Sequence, residues 1–266
     1  MKLPATFATV LIAGQLATLL VACGGAAANA NAATIDDRQA ETILAASRIA
    51  SGGAAWERID TIVSDSVSRT PQGEVTFRNS VDLRAGRDRL DFTLGPMKGA
   101  LGWDGKQAWT INPETGKAAI EGDQVEIARR RTVAYQDVYG YYFPKRLAAR
   151  TSYVGRKREG GAFFDVISVT PVKGHAFELW IDTATHLVAK QVSPSVEPPQ
   201  TQYFSDYREV DGVKIPFATH TVMMANGQGM GTSRVQYVKT NVPLGDADFS
   251  MPASATLALP ATPASR

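Results

Sequence analysis

The sequence predicts a mainly β protein with helices, of the α+β class, built on an antiparallel sheet. Apolar and polar residues alternate over several short runs, which is the pattern of strands with one buried face. The dipeptides Asp104-Gly105 and Asp211-Gly212 separate such runs, and both residues of each pair can adopt the positive φ of a two-residue hairpin turn. Only two stretches have a helical pattern, and they do not alternate with strands, so the sequence argues against a parallel sheet.

The N-terminus has the pattern of a secretory signal. Met1-Lys2 is followed by an apolar run that ends at Val21, and Ala22 offers a small residue at the cleavage position. The segment Leu20-Val21-Ala22-Cys23 resembles the lipobox of bacterial lipoproteins. This resemblance implies cleavage before Cys23, attachment of a diacylglyceryl group to its thiol, and acylation of the new N-terminus, for example by palmitate.

The residue after the cysteine is Gly24, which by the same resemblance directs the protein to the outer membrane, facing the periplasm. An ordinary signal peptide followed by a chance cysteine is the alternative. The Ala-rich residues that follow, and the Ala, Ser, Pro and Thr at the C-terminus, are typical of flexible segments. We therefore predict a signal peptide at 1–22, a lipidated tether at 23–34, a folded domain at 35–252 and a disordered tail at 253–266.

The folded domain is predicted to open with a helix and to continue with strands. Asp36 or Asp37 can cap the helix, and Gly52-Gly53 ends it. Its apolar stripe is narrow, so it must lie against a larger surface. The alternating apolar positions of four of the strands are Val75, Phe77, Val81 and Leu83; Leu90, Phe92 and Leu94; Phe177, Leu179 and Ile181; and Val213, Ile215 and Phe217.

A second helix is predicted after Asp123, which has capping-box spacing to Glu126, and Pro144 ends it. We interpret its run Arg129–Arg131 as a solvated face, with contact to anionic lipid as the alternative. The end of this helix is rich in aromatic residues, which we expect to fill the core, although they would also suit an apolar ligand. They are Tyr135, Tyr139, Tyr141, Tyr142 and Phe143.

Composition argues against several kinds of site. The 28 basic and 26 acidic residues give no signature of nucleic-acid binding, and the one cysteine cannot form an intrachain disulfide or a cysteine-based zinc site. His175, His186 and His220 lack the close spacing of metal ligands, and we interpret them as surface residues. The sequence contains no nucleotide-binding or hydrolase motif, so we predict neither enzymatic activity nor a cofactor.

Asp182-Thr183-Ala184 matches the short core motif of aspartic proteases. Such an enzyme needs two carboxylates that share one proton, so a single copy would require a dimer. The segment lies between two apolar runs, and we interpret it as the turn of a hairpin.

A set of turn and strand signatures remains: Gly52–Trp56, Trp103–Gly105 with Ala108-Trp109, Phe177–Asp182 with Leu187-Val188, Tyr207–Pro216, Asn241–Leu244 and Asp248-Phe249. Together they resemble the LolA/LolB lipoprotein-localisation superfamily over nearly the whole domain. The likeness is strongest to the LolA-like region that precedes an aspartyl protease domain in some bacterial proteins.

This resemblance implies an unclosed antiparallel β-barrel of about eleven strands, curved around helices, with an apolar cavity between sheet and helices. It further implies a non-enzymatic carrier or acceptor whose partners are the acyl chains of lipids or lipoproteins, held at the membrane through acylated Cys23. No protein partner is identified. The candidate cavity residues are Phe77, Leu90, Phe92, Phe177, Leu179, Ile181, Ile215 and Phe217, and core filling by the same residues is the alternative.

Two other functions stay open. An interaction module of the cell envelope would have a filled interior and an exposed apolar edge or patch. An accessory to an aspartyl protease would have a titrating Asp182.

Overall fold

The computed structural model describes residues 30–252, with side chains from Asp36 onward. The predicted signal peptide at 1–22, the acylation site Cys23 and the predicted tail at 253–266 lie outside the described residues. The first helix begins within the range predicted as the tether. The helical elements are α1 (Ala30–Ala50), a 3-10 helix at Gly53–Arg58, α2 (Gln124–Asp137), a 3-10 helix at Gly140–Tyr142, and α3 (Asp246–Phe249).

The strands form one antiparallel sheet of thirteen strands, so the predicted fold class is confirmed with two more strands than expected. The order in the sheet is β6-β5-β4-β3-β2-β1-β13-β12-β11-β10-β9-β8-β7, and the edge strands β6 and β7 do not pair with each other. The sheet is therefore unclosed. The strands are β1 (Thr61–Thr70), β2 (Gly73–Asp82), β3 (Arg87–Leu94), β4 (Met97–Trp103), β5 (Ala108–Ile111), β6 (Ala118–Ile120), β7 (Ala149–Glu159), β8 (Ala162–Pro171), β9 (Phe177–Asp182), β10 (Val188–Ser193), β11 (Gln200–Val210), β12 (Val213–Met223) and β13 (Gly229–Thr240).

The sheet curves around α2. This helix contacts β3, β4 and β5 in one half of the sheet and β8 in the other half. Seven strands separate β3 from β8 in the sheet order. Because neighbouring strands lie about 4.8 Å apart, a flat sheet could not bring both halves to one helix. The concave face is thus the face that holds α2, while α1 lies against the edge strand β7.

Two hairpin turns of two residues each were predicted, and one of them is confirmed. Asp211 and Gly212 have positive φ angles of 49° and 85°, and they join β11 to β12 as a two-residue turn. The two-residue turn at Asp104-Gly105 was wrong, because four residues connect β4 to β5. The Asp104 carboxylate accepts hydrogen bonds from the backbone N–H groups of Lys106 and Gln107, both at 2.7 Å, and such a side-chain bridge stabilises the longer loop.

The end of α1 at Gly52-Gly53 was predicted, and the fold explains the glycine. Gly52 has a φ of 142°, and a Cβ atom there would lie 2.7 Å from the carbonyl oxygen of Gly212. Glycine therefore lets the end of α1 approach the β11–β12 turn closely. The backbone N–H of Lys214 donates to the carbonyl of Ser51 at 2.7 Å, which fixes this contact.

The other helix boundaries show where local signals hold. The carboxylate of Asp123 caps α2 as predicted, accepting from the backbone N–H groups of Val125 and Glu126. The start of α1 at Asp36 or Asp37 was wrong, because the helix extends back through residues 30–35, where alanine favours helix strongly. The helical run also ends before Pro144, since Tyr139 takes the left-handed conformation with a φ of 52°.

The main core lies between the concave face and the helices. Its largest fully buried side chains include Trp56, Leu83, Val138, Ile167, Phe177, Leu179 and Ile181. A smaller cluster lies on the opposite face of the sheet, where the Trp109 indole N–H donates to the carbonyl of Phe249 at 2.7 Å and α3 covers β3. No helix within residues 30–252 combines the length and hydrophobicity of a membrane span.

Candidate functional site

A cavity of about 110 Å³ lies at the centre of the concave face. Four strands that are adjacent in the sheet, β2, β1, β13 and β12, form its wall, and the last residue of α2 together with the segment that follows forms the rest. The lining residues are Ile62, Ser64, Asn79, Val81, Asp137, Tyr139, Ile215, Pro216 and Val235. Most of this wall is apolar, but one carboxyl, one amide, one hydroxyl and one phenol reach it.

Five aromatic side chains, which we call the aromatic plug, pack between the sheet and the helices beside this cavity. They are Trp56, Tyr139, Tyr141, Tyr142 and Phe143. The Trp56 ring centroid lies 4.9 Å from that of Tyr139 and 5.6 Å from that of Tyr142. The Tyr142 hydroxyl lies 2.9 Å from the hydroxyl of Ser47, so α1 is tied to the plug by a buried hydrogen bond. The plug is therefore part of the main core, and α1 is fixed to it.

The backbone after α2 turns sharply to bring these rings inward. Tyr139 is left-handed, and Gly140 follows it in close contact with the Tyr135 ring, where an added Cβ would lie 2.5 Å from the nearest ring carbon. Burial raises the pKa of Tyr139, Tyr141 and Tyr142, so these phenols are neutral over the physiological range.

Three charged residues, which we call the buried charge cluster, lie beside the cavity. Asp88 on β3 is 0% exposed, and its carboxylate accepts a hydrogen bond from the guanidinium of Arg130 on α2. The third member is Asp137 at the end of α2, which borders the cavity itself. Burial raises the pKa of Asp137 to about 7; the nearby charge of Asp88 adds to the effect, and Arg130 and the Asn79 amide oppose it.

Several polar atoms of this region have no hydrogen-bond partner within the described part of the chain. They are Oδ1 of Asn79, Oδ1 of Asp88 and Nε of Arg130, all of them buried. Unpartnered buried polar atoms cost free energy, so they are rare in folded proteins and indicate a place where another molecule can bind. Asn79 lines the cavity, and Asp88 is the register partner of Val81, another lining residue.

We expect the stability of the protein to fall as the pH rises from about 4 to about 7, through Asp137. In the unfolded chain this carboxyl titrates near its ordinary pKa of 3.8, and in the folded protein near 7. Between these values the folded state binds one more proton, so raising the pH favours unfolding; above the folded pKa both states are ionised and the effect ends. Urea unfolding at pH 5 and pH 8 measures the difference.

The variant Asp137→Asn should reduce this difference, while Asp206→Asn, at an exposed carboxyl on β11, should keep it. An Asp137→Asn protein with the wild-type difference between pH 5 and pH 8 would contradict the assignment.

The predicted cavity residues lie in three environments. Phe177, Leu179 and Ile181 are fully buried in the core, and Ile215 lines the cavity. The other four, Phe77, Leu90, Phe92 and Phe217, are half-buried. Leu90 is the register partner of Asn79, and Phe92 that of Phe77, so these residues extend the concave face away from the cavity. Their role as ligand contacts stays a prediction.

Sequence reasoning missed the buried charge cluster. The interpretation of Arg129–Arg131 as a solvated face was wrong, because α2 is covered on several sides. Arg129 donates to the carbonyl of Ser195 at 2.6 Å, Arg130 binds Asp88, and the Arg131 guanidinium lies 4.8 Å from the centroid of the Trp103 ring. One local signal of the cluster was present in the sequence. Asp88 lies two and four residues before Leu90 and Phe92 in β3, so alternation places all three on the concave face, where a buried charge needs a partner.

The other motifs are structural. The Asp182 carboxylate accepts hydrogen bonds from the backbone N–H groups of Ala184 and Thr185 at 3.0 and 2.7 Å, which confirms the turn between β9 and β10. His186 and His220 are exposed. Within residues 30–252 no three His, Cys, Asp or Glu side chains come close enough together to hold a metal ion.

Comparison with known proteins gives the fold. No protein-family model matches the sequence, and no curated protein matches it. Among solved structures, a DUF1329 family protein from Desulfovibrio piger is similar at 12% identity, with a TM-score of 0.57, over 81% of this chain and 97% of that one. A domain assigned to outer membrane lipoprotein sorting, from Vibrio parahaemolyticus, is similar at 12% identity, with a TM-score of 0.52, over 80% and 97%.

A LolA superfamily protein from Nitrosomonas europaea aligns at 11% identity over 75% of this chain and 97% of that one, with a TM-score of 0.49. At such identities the likeness to the first two structures concerns the fold alone. The LolA-like fold that the sequence predicts is thereby confirmed.

Proposed function

We propose that this protein is a non-enzymatic lipoprotein of the bacterial envelope that binds an acyl chain, of a lipid or of a lipidated protein, between the curved sheet and its helices. Acylated Cys23 anchors it to the outer membrane, facing the periplasm. The observation that carries this proposal is the architecture. Helices and the aromatic plug cover the concave face of a single sheet, and a cavity remains between them and the sheet. The fold is shared with a domain assigned to lipoprotein sorting, which supports the same function.

Binding an acyl chain requires the interior to open. The cavity of about 110 Å³ is smaller than the roughly 300–1,000 Å³ of typical ligand pockets. Since each methylene moved out of water contributes about 0.8 kcal/mol, the chain itself can offset the cost of moving apolar side chains aside. α1 takes no part in the strand pairing, so opening would separate its contacts with β7 and leave the sheet intact, while the end of α1 stays fixed to the β11–β12 turn.

An interaction module of the envelope is the second candidate, because the aromatic plug fills the interior. In that case the curved sheet is a scaffold, and exposed apolar residues such as Ile49 on α1 and Val172 after β8 would contribute to docking a partner. This candidate differs from the first in one measurable respect, since it requires no bound lipid.

Native mass spectrometry with lipid extraction tests the acyl-binding proposal. The full chain with Cys23→Ser, purified from the periplasm, is expected to carry a stoichiometric phospholipid or fatty acid. Ser64→Phe places a ring in the cavity and should lower lipid occupancy at least fivefold, because the ring takes the space of the chain. Ser205→Phe, at an exposed position on β11, is the matched control and should keep the lipid.

A Cys23→Ser chain that is free of lipid and takes up no fluorescent acyl probe would contradict acyl binding and favour the interaction module. The anchoring is tested separately by cell fractionation. We expect the wild-type protein in the outer-membrane fraction and the Cys23→Ser variant in the soluble periplasmic fraction.

A further inference from the structure

We propose that the cavity behind the aromatic plug is a binding site for a small primary alkylammonium ion. Four features of the described residues lead to this ligand: the charge of the cluster, its hydrogen-bond acceptors, its apolar wall and its volume. The inference rests on the cavity alone and does not depend on the binding of an acyl chain.

The charge balance of the site lacks one positive charge. Arg130 forms an ion pair with Asp88 on β3 and acts on Asp137, at the end of α2, only through its charge, and no ion pair of Asp137 is found among the described side chains. The other strands of the wall contribute no charge, since β1, β12 and β13 present Ile62, Ser64, Ile215, Pro216 and Val235, and β2 presents Asn79 and Val81. Tyr139 is neutral because burial raises its pKa. A partly buried carboxylate at an apolar wall, without an ion-pair partner of its own, favours the uptake of either a proton or a cation.

The polar atoms of the wall suit an ammonium group. Asp137 borders the cavity, and the Oδ1 atom of Asn79 is buried without a hydrogen-bond partner. Ser64, on the neighbouring strand β1, also lines the cavity and carries a hydroxyl. All three can accept a hydrogen bond, and a primary ammonium group has three N–H donors. A hydroxyl or an ether could not satisfy three acceptors, and neither carries the missing charge.

The rest of the wall suits a short alkyl chain. Ile62, Val81, Ile215 and Val235 line the space beside the three acceptors. A dry protein cavity of about 150 Å³ holds one benzene molecule, so about 110 Å³ has room for roughly five non-hydrogen atoms. The n-butylammonium ion has this size, and it is the probe that we would use.

Isothermal titration of the full chain with Cys23→Ser tests the proposal, with n-butylammonium, n-butanol and butyltrimethylammonium as ligands. At pH 8 we expect n-butylammonium to bind at least tenfold more tightly than n-butanol, which has the same length but no charge. Butyltrimethylammonium has the charge without N–H donors and is too large, so it should not bind. Because the ion replaces a proton on Asp137, binding at pH 6 should be weaker and should release protons, measured as a dependence on buffer ionisation enthalpy.

Asp137→Asn should lose at least tenfold in affinity for n-butylammonium and keep its affinity for n-butanol, and Asp206→Asn should change neither. Asn79→Leu keeps the carboxyl of Asp137 but removes an acceptor, so it should also lower the affinity for n-butylammonium and not that for n-butanol. Circular dichroism shows whether each variant folds. Equal binding of n-butanol and n-butylammonium by the wild type, or no binding of n-butylammonium at pH 8, overturns the proposal. A lipid-free protein in mass spectrometry would contradict acyl binding, but it would not change the expected selective binding of n-butylammonium.

Discussion

Trp56→Ala is expected to lower the free energy of unfolding by about 3–5 kcal/mol. Trp56 is 0% exposed and lies at the centre of the aromatic plug, in contact with Tyr139, Tyr142 and Phe143. Its indole N–H donates to the hydroxyl of Ser51 at 3.0 Å. Truncation removes these contacts and leaves a cavity that a backbone fixed by α1 and the sheet cannot fill by collapse.

Urea unfolding followed by far-ultraviolet circular dichroism measures this loss. Trp180→Ala is the matched control, because Trp180 is a half-buried indole on β9 that contacts Phe164 and Lys190 and does not belong to the main core. We expect the control to lose less than half as much stability. Equal losses for the two variants would mean that the plug does not hold the helices on the sheet.

The same substitution bears on the proposed function. If α1 and the plug move aside to admit an acyl chain, removing the Trp56 ring lowers the cost of opening and enlarges the space behind it. Lipid occupancy of Trp56→Ala should then exceed that of the wild type in mass spectrometry, although the protein is less stable. A scaffold with no ligand would lose stability without any gain in lipid.

Much of the fold follows from local patterns. Alternation in β2, β3, β9 and β12 predicts the faces of these strands, because a strand with one buried face allows only period-two burial. The turn at Asp211-Gly212 and the cap at Asp123 depend on single residues whose backbone geometry is nearly fixed by their chemistry. Asp104-Gly105 has the same chemistry but gives a different loop, because the Asp104 side chain bonds to its own loop and lengthens it.

The candidate site could not be predicted to the same extent, because it depends on contacts between distant segments. Arg130 and Asp88 are 42 positions apart, and nothing near Arg130 distinguishes it from Arg129 or Arg131. Which of the three arginines enters the core is decided by how α2 is rotated against the sheet. The sequence likewise does not say whether the inward residues of a curved sheet line a cavity or fill a core, since both have the same alternation.

Arg130→Met is expected to destabilise the protein by about 3–5 kcal/mol, because it leaves Asp88 charged and buried without a partner. Arg130 has only 11% of its side chain exposed and Asp88 none, so water cannot replace the lost guanidinium. The loss should be larger at pH 8 than at pH 5. At the higher pH both Asp88 and Asp137 tend to ionise, and no positive charge remains between them, whereas at the lower pH protonation relieves part of the penalty.

The double variant Arg130→Met with Asp88→Leu separates the cost of an orphaned charge from the value of the ion pair. A well-packed apolar pair in place of a buried salt bridge is often neutral or stabilising, so the double variant should recover most of the loss. Arg129→Met is the control, since Arg129 pairs with the partly exposed Glu126 and donates to the carbonyl of Ser195. The loss of its ion pair should lower the free energy of unfolding by less than about 1 kcal/mol. If the double variant is no more stable than Arg130→Met, the arginine holds α2 on the sheet through its own packing, and the buried charge of Asp88 is not the reason for its presence.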